Sequence, residues 1–224
     1  MNVSDTRDCA FEAFITNLGK YNEGFLVGEW VKFPVTNEEM QAVFRRSGIG
    51  RRYEEWFITD YDCPDAAIGK VLGEYESLSE LNYLAGQIME LRESDDFWQA
   101  VLDLGENTGS VQELINLTEN LDCFDFLAGV HNDYDLGYYW IEESGCYDTS
   151  NLGALANYID YESFGRDLRY GGVFGDNGYV RSNGGRFVDI YDGDIESIPE
   201  EYQISSPVVM ERAAAKKQNE RHER

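Results

Sequence analysis

The chain has 224 residues, room for one ordinary domain or about two to three small ones. Its 43 acidic residues against 18 Lys and Arg leave a formal net charge of −25, a field that repels nucleic-acid phosphates and anionic membrane surfaces and argues against direct binding of either. With 42% hydrophobic and 14% aromatic residues the sequence is nevertheless one that folds and buries a core, unlike acidic disordered chains.

The opening MNVSDTRDCAFEAF carries acids where a signal peptide has an apolar segment, and no later stretch approaches the roughly 18 apolar residues of a membrane span. A soluble cytoplasmic protein is expected. Residues 11–18 and 25–35 are rich in aromatic and β-branched types and flank the turn-forming GKYNEG, which predicts a hairpin. Thr36 with Glu39 makes a capping box for a helix to about Arg46, and residues 53–61 supply a third strand. From Ser77 the period becomes helical. Leu78, Leu81, Leu84, Ile88 and Leu91 share a face behind a Ser77/Glu80 capping box; Phe97, Val101 and Leu104 form a second helix after Ser94; Ser110 and Glu113 open a third carrying Leu114, Leu117 and Leu121. Residues 124–144 read as a helix ended by Gly145, and residues 152–170 as one or two more. Tyr179 with Val180, and residues 187–191, read as short strands around a Gly184–Gly185 turn. The expected class is α+β in three small domains: an N-terminal antiparallel sheet with a helix (1–72), a central acidic helical bundle (73–122) and a C-terminal α+β domain (123–202). Residues 203–224, basic and without apolar periodicity, are expected to form a mobile or weakly helical tail.

Charge is unevenly placed along these elements. Residues 71–165 hold 20 acids and one base, Arg92, whereas residues 1–70 hold 12 acids and 8 bases and residues 166–202 hold 8 acids and 4 bases. Within the acidic window Glu76 and Glu80, Glu90 and Glu93, and Asp122 and Asp125 stand three or four apart, where like charges on one helix destabilise by roughly 0.2–0.5 kcal/mol per pair. A single carboxylate of this kind is ordinarily a solvated helix face; the run as a whole points to a negative surface in use, with a basic protein as its natural complement. A halophilic protein would instead spread its acids over every domain.

Catalytic patterns are lacking. The two histidines, His131 and His222, stand apart, and no HExxH, GxSxG, P-loop or GxGxxG occurs. Paired carboxylates suit a glycosidase, but 43 acids guarantee some pair. Asp133 with Asp135, and Asp192, Asp194 and Glu196, offer hard oxygens without the EF-hand spacing. Cys9, Cys63, Cys123 and Cys146 form no CxxC and are expected to be reduced thiols. No enzyme activity, no cofactor and no metal are expected.

Three segments carry a family resemblance: NLGKYNEGFLVGEW (Asn17 to Trp30), YYWIEESG (Tyr138 to Gly145) and NYIDYESFGRDL (Asn157 to Leu168). In this order they resemble the ArdA antirestriction proteins, over roughly residues 11 to 191. The resemblance implies an elongated three-domain protein that dimerises through its C-terminal domain and occupies the DNA-binding groove of type I restriction–modification enzymes by imitating B-form DNA, so protecting incoming mobile DNA. It implies phosphate-mimicking roles for Glu74, Glu76, Glu80, Glu90, Glu93, Asp95, Asp96, Asp103, Glu106 and Glu113. The same role extends to Glu119, Asp122, Asp125, Asp133, Asp135, Glu142, Glu143, Asp148, Asp160 and Glu162. Tyr139, Trp140 and Ile141 in the second segment are candidates for core or for a homodimer interface. Two other functions stay open: a general acidic chaperone or sink for basic DNA-binding proteins, and a carboxylate-based hydrolase.

Overall fold

The computed structural model describes residues 8–91 and 95–207. In chain order its elements begin with β1 (Phe11–Asn17), α1 (Leu18–Asn22), β2 (Gly28–Phe33), α2 (Asn37–Arg46), β3 (Trp56–Asp62), α3 (Ala66–Gly69) and α4 (Leu78–Glu90). They continue with α5 (Asp95–Leu104), α6 (Val111–Thr118), β4 (Phe124–Ala128), α7 (Asp133–Tyr138), α8 (Tyr161–Leu168), β5 (Gly172–Phe174) and β6 (Gly178–Ser182). The fold is α+β, with two antiparallel three-stranded sheets ordered β2-β1-β3 and β4-β6-β5. Two compact units result. One gathers the described residues up to Glu90, Thr108–Thr118 and those from Ile190 onward; the other gathers those of Leu91–Asn107 and Glu119–Asp189. The helices between the sheets are thus divided, α4 and α6 going with the first sheet and α5 with the second.

In the first unit β1 is the central strand, and its alternation sends Phe11, Ala13 and Ile15 inward. Helices α2 and α4 pack on β2, and α4 on α6, burying Met40, Phe44, Leu81, Leu84 and Leu114. The expected strands are present, but the segment between β1 and β2 is a helical turn. Asn17, fully buried, explains it: its side-chain oxygen accepts the Lys20 N–H at 2.9 Å, capping α1, while its amide donates to the Ser47 and Gly48 carbonyls at 3.0 Å. The Thr36/Glu39 capping box forms in full. Ser77 and Ser110 also cap their helices, but the partner carboxylates turn elsewhere: Glu80 accepts the Tyr191 hydroxyl and Glu113 the Gly109 N–H, each at 2.7 Å.

The second unit differs most from the sequence reading. Residues 124–144 are not one helix. Residues 124–128 form β4, paired with the central strand β6; Gly129, with φ of +75°, breaks the chain away, and Asn132 caps the new helix α7 by accepting the Asp135 N–H. A π-helical turn, Tyr139–Glu143, follows, and the segment ends as expected at Gly145, whose φ is +72°. Helices α7 and α8 then cross backbone to backbone. A Cβ at Gly137 would strike the Tyr161 carbonyl, and one at Gly165 the Asp133 carbonyl.

The predicted strand over residues 187–191 is absent because side chains take the place of a strand partner. Asn120 accepts the Val188 N–H and donates to its carbonyl, both at 2.9 Å, and Asn116 does the same for Tyr191, both at 2.8 Å. Asn82 holds Val35 in this manner at 2.7 and 2.9 Å and also donates to the Tyr202 carbonyl. The expected mobility of residues from 203 is corrected for the first of them. Ile204 N–H donates to Ser79, and Ser205 is held through its N–H by Asn37 and through its carbonyl by Gln41. The remainder of that tail, 208–224, lies outside the described residues, as does the Ser94 helix start.

Asn116→Ala strands a buried N–H and carbonyl and Asn82→Ala a half-buried pair, and each is expected to destabilise by about 2–4 kcal/mol in urea unfolding. Gly165→Ala is expected to cost about 2–3 kcal/mol or more by forcing α7 and α8 apart, whereas an unchanged unfolding midpoint would refute the close crossing.

Candidate anionic interface

The acidic residues of the window divide by what they touch. Glu76, Glu80, Asp125, Asp133 and Asp135 are half-buried, and the other described ones are exposed; Glu93 lies outside the described residues. In the second unit the described residues include 17 acids and four bases. Three of those bases are engaged. Asp125 and Arg181 face each other in the β4–β6 register and pair at 3.1 Å, with the guanidinium 5.2 Å over the Trp140 ring. Arg169 lies 3.5 Å from Asp133, and Arg166 lies 3.9 Å from Asp133 and 3.4 Å from Glu162.

Neutral donors do for many of the remaining acids what lysines do elsewhere. Asp160 caps α8, accepting the Ser163 N–H at 3.0 Å and its hydroxyl at 2.7 Å, and these bonds hold its carboxyl below the ordinary range. Asp148 accepts the Ser150 hydroxyl and N–H and is lowered likewise. Asp135 accepts the His131 N–H and the Asn132 amide. Asp95 and Asp96 sit in the first turn of α5, where the helix dipole favours negative charge. Glu74, Glu90, Asp95, Asp96, Glu106, Asp122 and Glu143 have no ion pair among the described residues.

Of the like-charge pairs read from spacing, that of Glu90 and Glu93 falls partly outside the described residues, and the other two do not share helix faces. Glu76 precedes α4 while Glu80 turns to Tyr191, and Asp122 lies in the 3₁₀ turn Leu121–Cys123 while Asp125 lies on β4. Tyr139 and Trp140 are half-buried against Val130, Leu136 and Tyr179, and Ile141 lines a cavity of about 300 Å³ with Tyr147, Leu152, Ile159 and Phe164. His131 is exposed. Asp192 and Asp194 spend oxygens on the Asp194 and Glu196 N–H groups in tight local turns. Among the described residues no group of three His, Cys, Asp or Glu side chains is placed to hold a metal ion, and no helix is long and apolar enough to cross a membrane. What this arrangement offers chemically is a surface where carboxylates outnumber cations and several are held in place by neutral donors.

The family model for antirestriction protein (ArdA) matches residues 13–181, three quarters of the chain. The chain belongs to the ArdA antirestriction family. Among curated proteins, none matches it. ArdA membership suggests an antirestriction function, exercised as an inhibitor and not as a known class of enzyme, and implies interaction with restriction–modification enzymes. The ArdA match takes in Asn17, Gly137 and Gly165 and stops at Arg181, so the segment anchored by Asn116 and Asn120 follows it.

Glu142 also fixes Tyr161, accepting its hydroxyl at 2.7 Å. That bond, with desolvation and the neighbouring negative charge, raises the phenol from 10.0 to about 12. A raised folded-state value contributes stability that is complete below pH 10 and lost as pH rises through about 12. NMR titration should place Tyr161 near 12 and show Glu142→Gln returning it toward 10; a wild-type Tyr161 that ionises with the exposed tyrosines would refute the bond.

Proposed function

We propose that the chain inhibits type I restriction–modification enzymes by presenting its carboxylates as DNA phosphates and occupying the DNA-binding groove of the methyltransferase core. The observation that carries this reading is the excess of exposed carboxylates in the second unit, where 17 acids meet four bases and Arg166, Arg169 and Arg181 are already paired internally. Duplex DNA carries one charge per roughly 1.7 Å, so two chains at −25 each match the charge of about 85 Å of duplex. Dimerisation through the C-terminal region belongs to the same proposal, and Leu155, Tyr158 and Tyr170, at 67%, 83% and 94% exposure, are apolar side chains there that a second copy would cover. The twenty acids of the window act together as phosphate mimics. Protection of incoming mobile DNA would follow from groove occupancy, because an enzyme holding this chain has no groove for DNA.

A general acidic sink for basic proteins is the second reading, favoured by the charge alone. Displacement of labelled duplex from a purified type I methyltransferase core separates the two. Near-stoichiometric displacement that weakens with salt, and that an unrelated acidic protein of equal charge fails to match, is the expected result; equal displacement by that control would leave only polyanion behaviour. Neutralising one exposed acid such as Glu106 is expected to weaken inhibition by no more than about two- to threefold, and neutralising eight by about a hundredfold. A single exposed-acid variant that folds yet loses all inhibition would overturn a distributed mimic.

A further inference from the structure

We propose that the cavity between β4 and α7 in the second unit receives an arginine side chain of the protein partner. The cavity measures about 450 Å³ and is walled by β4 and the turn after it, by Tyr134, Tyr138 and Tyr139, and by the carboxylates of Asp135 and Glu143. Its lining includes no Lys or Arg. Tyr134 and Tyr138 are stacked at 6.4 Å and each also packs against Tyr161, at 5.5 and 5.4 Å, yet they remain 52% and 41% exposed, so part of each ring is open to a ligand. Glu143 is exposed without an ion pair among the described residues, and Asp135 uses only one carboxylate oxygen in binding the His131 N–H and the Asn132 amide. Aromatic rings beside unpaired carboxylates are the chemistry that seats a desolvating cation, and a planar guanidinium gains from both.

The same unit already holds a guanidinium in this way. A second cavity, of about 520 Å³, shares Phe126, Leu127 and Tyr139 with the first, and its lining also includes Arg181, Trp140 and Asp125. There the cation is internal: Arg181 lies 5.2 Å over Trp140 and 3.1 Å from Asp125. The first cavity repeats ring and carboxylate with no base of its own, which assigns the cation to a partner. That the partner is a restriction–modification enzyme rests on the function proposed above, and the cavity adds to that reading a point of shape recognition within the distributed field.

The test has two arms, both with the full chain. In the first, N-acetyl-arginine N-methylamide is titrated while the ring resonances of Tyr134 and Tyr138 are followed, with the 94% exposed Tyr170 as reference and the neutral citrulline analogue as control. Saturable shifts confined to Tyr134 and Tyr138, absent with citrulline and weakened about 3- to 10-fold in Glu143→Gln, are expected. Equal shifts with citrulline, or an unaltered Glu143→Gln, would overturn the site. The second arm measures displacement of duplex from the methyltransferase core. Tyr138→Leu removes no charge, so it should weaken displacement about 3- to 10-fold without altering the salt dependence, and Glu143→Gln should weaken it more than Glu106→Gln does. If Tyr138→Leu does not fold, the comparison of Glu143→Gln with Glu106→Gln decides. A wild-type chain that displaces DNA but ignores the arginine probe retains mimicry and loses the cavity; one that binds the probe but displaces no DNA retains the cavity and loses mimicry.

Discussion

A chain with 43 acids and 18 Lys and Arg has too few cations to pair every acid, and segments distant in sequence are joined around its apolar core by neutral amide hydrogen bonds. Asn17, Asn82, Asn116 and Asn120 are each buried, and each bonds backbone groups distant in sequence. A carboxamide supplies one acceptor and one donor fork, so it stands in for a peptide unit where no strand is present to pair. Such a bond gains little net free energy but is costly to leave half made, which fixes the segments it joins in one arrangement. Because these bonds carry no charge, they are insensitive to the repulsion that the acids impose on the rest of the chain.

The acids themselves are accommodated by the same economy of cations. Serine hydroxyls, backbone N–H groups at helix starts and the first-turn dipole of α5 stabilise the ionised form of Asp148, Asp160, Asp95 and Asp96 without cancelling it. A lysine partner would instead have cancelled part of the negative field. The downward displacement of Asp148 and Asp160 keeps them charged further into the acid range than ordinary aspartates, so the surface retains its sign there.

Where a residue's own neighbours decide its conformation, the sequence was legible. The β-rich composition of residues 11–18, the Thr36/Glu39 box and the helical period from Leu78 all have their counterparts in the structure because local sterics and local hydrogen bonds determine them. Residues 124–128 misled because Phe124 and Leu127 fit a helical stripe as well as a strand; pairing with β6, more than fifty residues away, settles the choice. The stretch at 187–191 misled in the opposite sense, since its β-rich composition is real but its partners are the side chains of Asn116 and Asn120. Of the candidate interface, the acids were legible by type and number. Their partners were not: nothing in linear spacing pairs Asp125 with Arg181 or turns Glu80 toward Tyr191.

Charge and shape enter this surface at different levels. An excess of carboxylates over cations supplies attraction that any polycation can feel, and such attraction is screened by salt and indifferent to geometry. Discrimination among basic partners needs a contact that depends on where a cation sits, and rings provide it because cation–π attraction acts only over the face and at short range. In the second unit the rings and the acids occupy the same elements: α7 carries Tyr134, Asp135 and Tyr138, and the π turn after it carries Tyr139 and Glu143. Tyr139 and Glu143 stand at the two ends of that π segment, and both line the cavity. With the arginine contact proposed for this cavity, an otherwise diffuse anionic surface gains one contact with a defined place.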